Sequence, residues 1–146
     1  MTEKVWLKHY PNYIRANLDY EEIPLQQFLT NAARNTPEKI AIHFMGKDIK
    51  YKELHESALK FAQYLQQLGI EKGDRIALML PNTPQTVISY YGALYAGATV
   101  VMTNPLYTER EIEYQLKDSG AKVIVSLDIL YPRIMKVFKN TTLENV

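Results

Sequence analysis

The hydrophobic positions of this chain follow the two spacings that distinguish helices from strands. Between residues 25 and 33, and again between residues 52 and 68, they return every three or four residues, which predicts amphipathic helices. Short, nearly continuous apolar runs of the kind found in buried strands lie at residues 75–80, 98–102 and 122–126. The stretches between and after these runs predict further helices at residues 84–96, 109–119 and 131–138.

A hairpin is predicted ahead of the buried strands. Two β-like runs, residues 40–44 and 49–51, flank residues 45–48, in which Gly46 and Asp48 suit a tight turn. After this hairpin the predicted order is helix, strand, helix, strand, helix, strand, helix. Such alternation implies right-handed crossovers and a parallel sheet with helices on both faces, which is the doubly wound α/β class.

Residues with special backbone preferences mark the ends of the predicted helices. Thr83, followed by Pro84, is a predicted N-cap. Thr108 and Glu111 have the spacing of a capping box at the start of a later helix. Gly120 is expected to end that helix in the left-handed conformation.

The chain is expected to divide into an N-terminal arm and one folded unit. Residues 1–23 contain Trp6, Tyr10 and Tyr13 without a regular apolar period, so we expect an extended arm that lies on the domain. Residues 24–146 are expected to form a single α/β subdomain, because no internal repeat and no Pro/Gly/Ser-rich linker divides them.

Composition and charge exclude several functional classes. Lysine and arginine total 17 against 16 acidic residues, and this balance lacks the basic excess of nucleic-acid-binding proteins. The absence of cysteine excludes disulfides, thiolate catalysis and cysteine-ligated zinc. The sequence shows neither the apolar stretch of a signal peptide nor a run long enough to span a membrane, so a cytoplasmic location is expected.

Two loop regions are candidates for phosphate binding by their position, but neither has the residues that phosphate binding requires. Residues 80–83 lie where a helix N-terminus could hold an anion, but they contain no glycine and no basic residue. Residues 92–99 imitate the pattern G-x-x-x-x-G-K-[ST], yet Ala98 stands at the lysine position. The glycines there also lie between a helix and a strand, whereas a phosphate-binding loop follows a strand and opens a helix.

The remaining polar residues are better explained by structure than by chemistry. The serines lack a nucleophile elbow, and cap or helix-face roles are favoured for Ser57, Ser89, Ser119 and Ser126. The histidines show no metal-ligand spacing: His9, His43 and His55. The acidic residues of one predicted helix fit a solvated face with favourable first-turn charges: Glu109, Glu111, Glu113 and Asp118. We therefore expect no catalytic, cofactor-binding or metal-binding residue in this chain.

Tyrosine is the one unusual feature of the composition, with eleven residues of this type. Tyr90, Tyr91 and Tyr95 lie on one predicted helix, and Tyr91 and Tyr95 are four residues apart on one face. Packing with the hydroxyl groups at a polar boundary is the favoured interpretation. A role in an interface is left open.

Three stretches resemble the acyl-adenylate-forming, AMP-binding superfamily of acyl-CoA synthetases, luciferases and adenylation domains. Residues 49–54, Ile-Lys-Tyr-Lys-Glu-Leu, are similar to the first core motif L-T-Y-x-E-L, with isoleucine and lysine replacing its first two residues. Residues 73–78 resemble the following G-D-x-V-A strand. Residues 94–98, with Asn104-Pro105, resemble the second core motif.

Other stretches narrow the resemblance to long-chain fatty-acid–CoA ligases. Residues 104–111 and 115–121 are similar to these ligases, as are Trp6-Leu7 and Tyr10-Pro11 in the arm. The resemblance implies that the parent enzyme uses ATP and Mg²⁺ to adenylate a long-chain fatty acid, and then CoA to form a thioester. It also implies that the catalytic loops lie elsewhere, because nothing similar to Y-T-S-G-T-T-G-x-P-K-G occurs before Val146.

The resemblance therefore predicts the non-catalytic N-terminal part of such a ligase, whose partner is the remainder of its own chain. A homodimer and a peripheral membrane association of the parent are left open. Two alternatives stand beside this prediction: a separate interaction or dimerisation module derived from the family, and the N-terminal part of an aryl-CoA ligase. An apolar face that normally packs against the rest of the enzyme would be exposed in the isolated subdomain.

Overall fold

The computed structural model describes residues 4–146. Within this part of the chain, helices and strands alternate much as the apolar pattern predicts. The helices are α1 (Leu25–Asn35), α2 (Tyr51–Gln67), α3 (Pro84–Tyr95), α4 (Glu109–Ser119) and α5 (Tyr131–Val137). The strands are β1 (Ile40–Phe44), β2 (Lys47–Lys50), β3 (Arg75–Met79), β4 (Thr99–Met102) and β5 (Val123–Ser126). None of the described helices combines the length and the apolar character needed to cross a bilayer.

Strand β3 is the centre of a three-stranded parallel sheet whose order is β4-β3-β5. Successive β3 side chains point to opposite faces, and those of residues 76–79 are completely buried. Ile76 and Leu78 belong to a core shared with α2 and α3, whereas Ala77 and Met79 belong to a core shared with α4 and α5. The doubly wound α/β class is therefore confirmed, because a pair of helices covers each face of the sheet.

Helices α2 and α3 approach each other closely at Gly92. A Cβ atom added at Gly92 would lie 2.8 Å from the carbonyl oxygen of Ala58 and 2.7 Å from Cδ1 of Phe61. Real side chains do not make contacts this short, so this crossing of the two helices requires glycine. The apolar stripe of α3 predicts a helix at this position, but it does not predict the close approach.

A third, smaller core attaches α1 and the hairpin to the α2–α3 pair. Leu29 of α1 and Leu54 and Ala58 of α2 are buried there, and Ile42 of the hairpin and Val87 of α3 pack around them. The predicted order of helix and hairpin ahead of the parallel sheet is thus found, with both on the outer side of α2 and α3. Residues 1–3 of the predicted arm lie outside the described residues.

The hairpin differs from its prediction in the length of its turn. The turn consists of Met45 and Gly46 alone, both with positive φ, at 49° and 77°. Asp48 is already in β2, opposite His43, and Tyr51 is the first residue of α2 rather than the end of a strand. Two left-handed residues suit the twist of a two-residue hairpin loop, but methionine rarely adopts that conformation. The sequence therefore favoured a longer turn.

The two predicted N-caps have different outcomes. At α4 the Thr108 hydroxyl accepts the N–H of Glu111 at 3.5 Å, and the Glu111 carboxylate accepts the N–H of Thr108 at 2.8 Å, which confirms the capping box. At α3, Thr83 occupies the N-cap position, but its hydroxyl contacts the Thr86 hydroxyl at 3.2 Å instead of a backbone N–H. The predicted side-chain cap at Thr83 is therefore wrong. Gly120 ends α4 with φ 63°, as predicted.

The residues before α1 are not uniformly extended. Val5–His9 form a turn of 3-10 helix in which no residue is buried. Tyr13 is 87% exposed, and Lys4 donates to the side chain of Asn17 at 3.4 Å. The aromatic side chains of this segment thus present a largely open surface.

An ion pair joins the loops that precede β3 and β5, at the amino-terminal ends of these strands. The Nζ atom of Lys122 lies 2.8 Å from the carboxylate of Asp74, which also accepts the N–H of Glu71 at 2.9 Å. The hydrogen bond from Lys122, followed by that from Glu71, lowers the pKa of Asp74 below its ordinary value. The same hydrogen bond raises the pKa of Lys122.

Candidate functional site

The carboxyl ends of the parallel strands are where ligands bind in sheets of this class. In this domain, polar groups after β3 and β4 are engaged by the fold itself. After β3, the Thr86 hydroxyl donates to the carbonyl of Pro81. After β4, Thr103 is buried, and its N–H donates to the Leu78 carbonyl at 3.0 Å. Neither loop therefore presents these groups to a ligand.

The glycine-containing segment at residues 92–99 connects the end of α3 to β4. Gly92 lies at the helix crossing, and Gly97 has φ 82° at the turn that follows the helix. The carbonyl of Gly97 accepts the N–H of Gly73 at 2.9 Å. The segment runs from a helix into a strand, opposite to a phosphate-binding loop, and its glycines are needed for packing and turning.

The serine and histidine side chains do not form a nucleophile–base pair. Ser89 is buried in α3, while Ser119 and Ser126 donate their hydroxyls to nearby backbone carbonyls at 3.4 and 3.1 Å. Among residues 4–146, no hydrogen bond joins a serine to a histidine. His43 instead pairs with Asp48 across the hairpin.

Three of the four acidic residues of α4, all but Asp118, have partners among the described residues of the domain. The partners are Lys136 for Glu109, Thr108 for Glu111 and Lys117 for Glu113. Hydrogen bonds from the Thr108 hydroxyl and then from its N–H lower the pKa of Glu111, and the hydrogen bond from Lys117 lowers that of Glu113. Within the described part of the chain, no three histidine, cysteine or carboxylate side chains are grouped so that they could hold a metal ion.

Tyr95 of α3 anchors α1. The Tyr95 hydroxyl donates to the carbonyl of Gln26 at 3.1 Å and lies 2.8 Å from the Thr30 hydroxyl. Its ring also meets the edge of His55, with ring centres 5.6 Å apart. Burial raises the pKa of Tyr91 and of Tyr95. Packing with hydroxyls at a polar boundary describes Tyr95 well.

An apolar groove lies beside β5. This "β5 groove" has a volume of about 350 Å³. Side chains of α2 form one wall, the outer edge of β5 forms the floor, and the segment at Val146 borders the entrance. Its residues are Phe61, Tyr64, Leu65, Leu68, Val123, Ile124, Val125, Ser126, Leu127, Asp128, Tyr131, Asn145 and Val146.

The sequence pattern did not identify this groove as a site. The signal that could have done so lies in α2, where Tyr64 extends the apolar stripe of Phe61, Leu65 and Leu68 toward a further face. When the apolar arc of a helix is wider than one packing contact needs, the helix is expected to have a second neighbour. The edge of β5, however, depends on strand order, which local periodicity does not contain.

Comparison with known proteins places the chain in a family. The sequence model described as AMP-binding enzyme matches residues 29–144. A long-chain-fatty-acid–CoA ligase from Bacillus subtilis is 52% identical over 136 residues, which cover 93% of this chain and 24% of that protein. This chain therefore spans about a quarter of the length of that relative.

Solved structures agree with the sequence comparison. A long-chain-fatty-acid–CoA ligase from Archaeoglobus fulgidus superposes with a TM-score of 0.82 and 30% identity, covering 88% of this chain and 28% of that one. The N-terminal domain of FACL13 from Mycobacterium tuberculosis gives a TM-score of 0.79 and 28% identity, covering 84% of this chain and 33% of that one. Because the family model matches most of the chain and the fold agrees, this chain belongs to the AMP-binding enzyme family.

Proposed function

We propose that this chain is the N-terminal, non-catalytic part of an ATP-dependent long-chain fatty-acid–CoA ligase. The observation that carries the proposal is the similarity to the Bacillus subtilis ligase, which extends over nearly the whole chain. The match to a separate N-terminal domain supports the position of this segment within the parent. The parent is proposed to act in the cytoplasm.

The proposed reaction has two balanced steps. The fatty-acid carboxylate attacks the α-phosphorus of ATP, which forms the acyl-adenylate and releases pyrophosphate. The CoA thiol then attacks the acyl carbon, which forms the thioester and releases AMP and a proton. Magnesium would accompany ATP. Residues 4–146 do not fit a magnesium site, because Glu109, Glu111 and Glu113 of α4 are engaged separately and no ligand cluster is present among these residues.

The role proposed for these residues is to hold the rest of the enzyme in place. At the carboxyl ends of β3 and β4, the Thr86 hydroxyl and the Thr103 N–H are bound within the fold, so they are not available to a substrate or a phosphate group. The β5 groove, in contrast, offers apolar side chains along the outer edge of the sheet, beyond the bridge between Val123 and Asn145. A surface of this kind suits packing against protein rather than catalysis.

The test compares two proteins in one assay. The full-length protein and residues 1–146 are each incubated with palmitate, ATP, Mg²⁺ and CoA, and AMP and palmitoyl-CoA are quantified. The full-length protein is expected to form both products in equal amounts, and residues 1–146 neither. Benzoate in place of palmitate is the control substrate.

Each alternative predicts a different observation, in this assay or in the gene. A full-length protein that prefers benzoate would support an aryl-CoA ligase and contradict the long-chain assignment. A natural gene that encodes no ligase domain after residue 146 would support a separate interaction module. Adenylate formation by residues 1–146 alone would contradict the proposed non-catalytic role.

A further inference from the structure

Strand β5 is the last strand of the sheet, and one of its edges faces away from β3. In a parallel sheet, the N–H and C=O of a residue point toward the same neighbour, and successive residues alternate between the two neighbours. The N–H of Ile124 points away from β3, because it donates to the carbonyl of Asn145 at 3.1 Å. By this alternation the carbonyl of Ile124 and the N–H and carbonyl of Ser126 point outward as well.

A further strand already begins at this edge. Asn145 forms an isolated parallel bridge with Val123. The N–H groups of Glu144 and Asn145 donate to the Lys122 carbonyl at 2.7 and 3.2 Å. The backbone at Asn145 therefore follows the direction of β5 and occupies the first position of a parallel ladder.

The β5 groove lies in the direction in which a strand that continues from Asn145 would run. Leu65, Val123 and Ile124 at its base are almost completely buried, whereas Tyr64 on its outer wall is 55% exposed and Val146 is 45% exposed. Parallel strands lie about 4.8 Å apart, so a strand that continued from Asn145 would run along β5 past the side chains of α2.

We infer that the β5 groove binds the polypeptide that follows residue 146 in the full-length protein, as a further strand parallel to β5. This inference rests on the proposed function, in which the chain continues as it does in its longer relatives. In the register set by Asn145, the N–H of position 147 donates to the Ile124 carbonyl. The carbonyl of position 147 then accepts the N–H of Ser126.

The same register specifies the side chain at position 147. Asn145 is level with Val123, so position 147 is level with Val125, and neighbours at one level point to the same face of a sheet. Val123 and Val125 face the core that contains α2. Position 147 therefore faces the α2 wall of the groove, and an apolar residue is expected there.

A second copy of this domain fits the edge less well. Two β5 edges related by a two-fold axis perpendicular to the strands would pair antiparallel, because that axis reverses the strand direction. An axis parallel to the strands would place identical backbone groups opposite each other, without the offset that a parallel ladder needs. The Asn145–Val123 bridge already imposes a parallel partner at the start of the edge. The covalently continuous segment meets this condition without moving any described residue.

Amide hydrogen exchange in the full-length protein tests the ladder. We expect the N–H of Ser126 to exchange at least about 100-fold more slowly than an unprotected amide, because it is bonded to position 147. Free exchange of the Ser126 amide in a folded full-length protein would overturn the inference. Measuring acyl-CoA formation with the same preparation keeps the two proposals separate: protected Ser126 in an inactive protein would contradict the ligase assignment alone.

Cross-linking tests the side-chain register. A cysteine at position 147 is combined with Tyr64→Cys on the groove wall or, as a matched control, with Tyr114→Cys on the exposed surface of α4. Residues 1–146 contain no cysteine that could compete, and cysteines beyond them are replaced by serine. A short bis-maleimide is expected to link position 147 to position 64 and not to position 114. Equal linking to both positions, or linking to position 114 only, would contradict the register.

Discussion

Gly92 of α3 lies against Ala58 of α2 so closely that a single added methyl group would meet the Ala58 carbonyl oxygen at 2.8 Å. The backbones of the two helices therefore determine each other's position at this point. The same two helices cover one face of the parallel sheet, so their spacing affects the core of the domain.

Replacement of Gly92 by alanine is expected to destabilise the domain, because α2 and α3 must separate to admit the methyl group. Overpacking of this kind costs about 1–3 kcal/mol, which exceeds the gain in helix propensity. Urea unfolding followed by circular dichroism measures the free energy of unfolding. Gln85→Ala, at an exposed position of the same helix, is the control and is expected to change it by less than about 0.5 kcal/mol. Equal stability of Gly92→Ala and the unmodified chain would show that the helices can separate freely.

The ion pair of Asp74 and Lys122 is expected to make stability depend on pH. The pKa of Asp74 is lowered in the folded state. Its contribution to folding stability is therefore complete above the unfolded-state pKa of about 3.9 and is lost as the pH falls through the folded-state pKa. The pKa of Lys122 is raised in the folded state. Its contribution to folding stability is therefore complete below the unfolded-state pKa of about 10.4 and is lost as the pH rises through the folded-state pKa.

Asp74→Asn tests this dependence through the melting temperature at a series of pH values. The variant is expected to melt below the unmodified chain at neutral pH, and the difference is expected to decrease as the solution becomes acidic enough to protonate Asp74. Asp118→Asn, on the exposed face of α4, controls for the loss of one negative charge. A difference that is constant across the acidic range would exclude a role for Asp74 ionisation.

The capping box of α4 can be compared with the N-cap position of α3 in the same protein. Thr108→Ala removes a hydroxyl that bonds to the N–H and carboxylate of Glu111, and about 1 kcal/mol of unfolding free energy is expected to be lost. Thr83→Ala is expected to cost less, because the Thr83 hydroxyl makes no cap hydrogen bond. Chemical unfolding of both variants decides the order, and a larger loss for Thr83→Ala would contradict the assignment.

The Tyr95 hydroxyl is expected to stabilise the attachment of α1. Tyr95→Phe removes its contacts with Gln26 and Thr30, and a loss of about 0.5–1.5 kcal/mol is expected. Tyr91→Phe is the matched control, since the Tyr91 hydroxyl has no hydrogen bond within the described structure, and it should change stability little. Thermal unfolding of the two variants gives the comparison. Similar melting temperatures for both would show that the Tyr95 contacts contribute no net stability.

The sequence predicts the elements of this domain well where the determining signals are local. The apolar runs of β3, β4 and β5 and the Thr108–Glu111 spacing act within a few residues, and each appears in the structure. The turn at Met45 was mispredicted, because the pairing of the flanking strands determines its conformation and overrides the preference of methionine.

Features that depend on distant contacts could not be predicted in the same way. The requirement for glycine at position 92 comes from Ala58 and Phe61 of α2, which lie more than thirty residues earlier in the chain. The β5 groove depends on the strand order, which leaves β5 at the end of the sheet. The absence of catalytic residues from the chain was expected from motifs and stays a prediction, with the two-protein assay as its test.

The central position of β3 has a consequence for synthesis of the protein. Because the ribosome makes β3 before either of its neighbours, the sheet can grow outward from a strand that is already present, first with β4 on one side and then with β5 on the other. The last of these strands to be made, β5, therefore finds β3 already in place beside it, and the sheet need not rearrange to admit it.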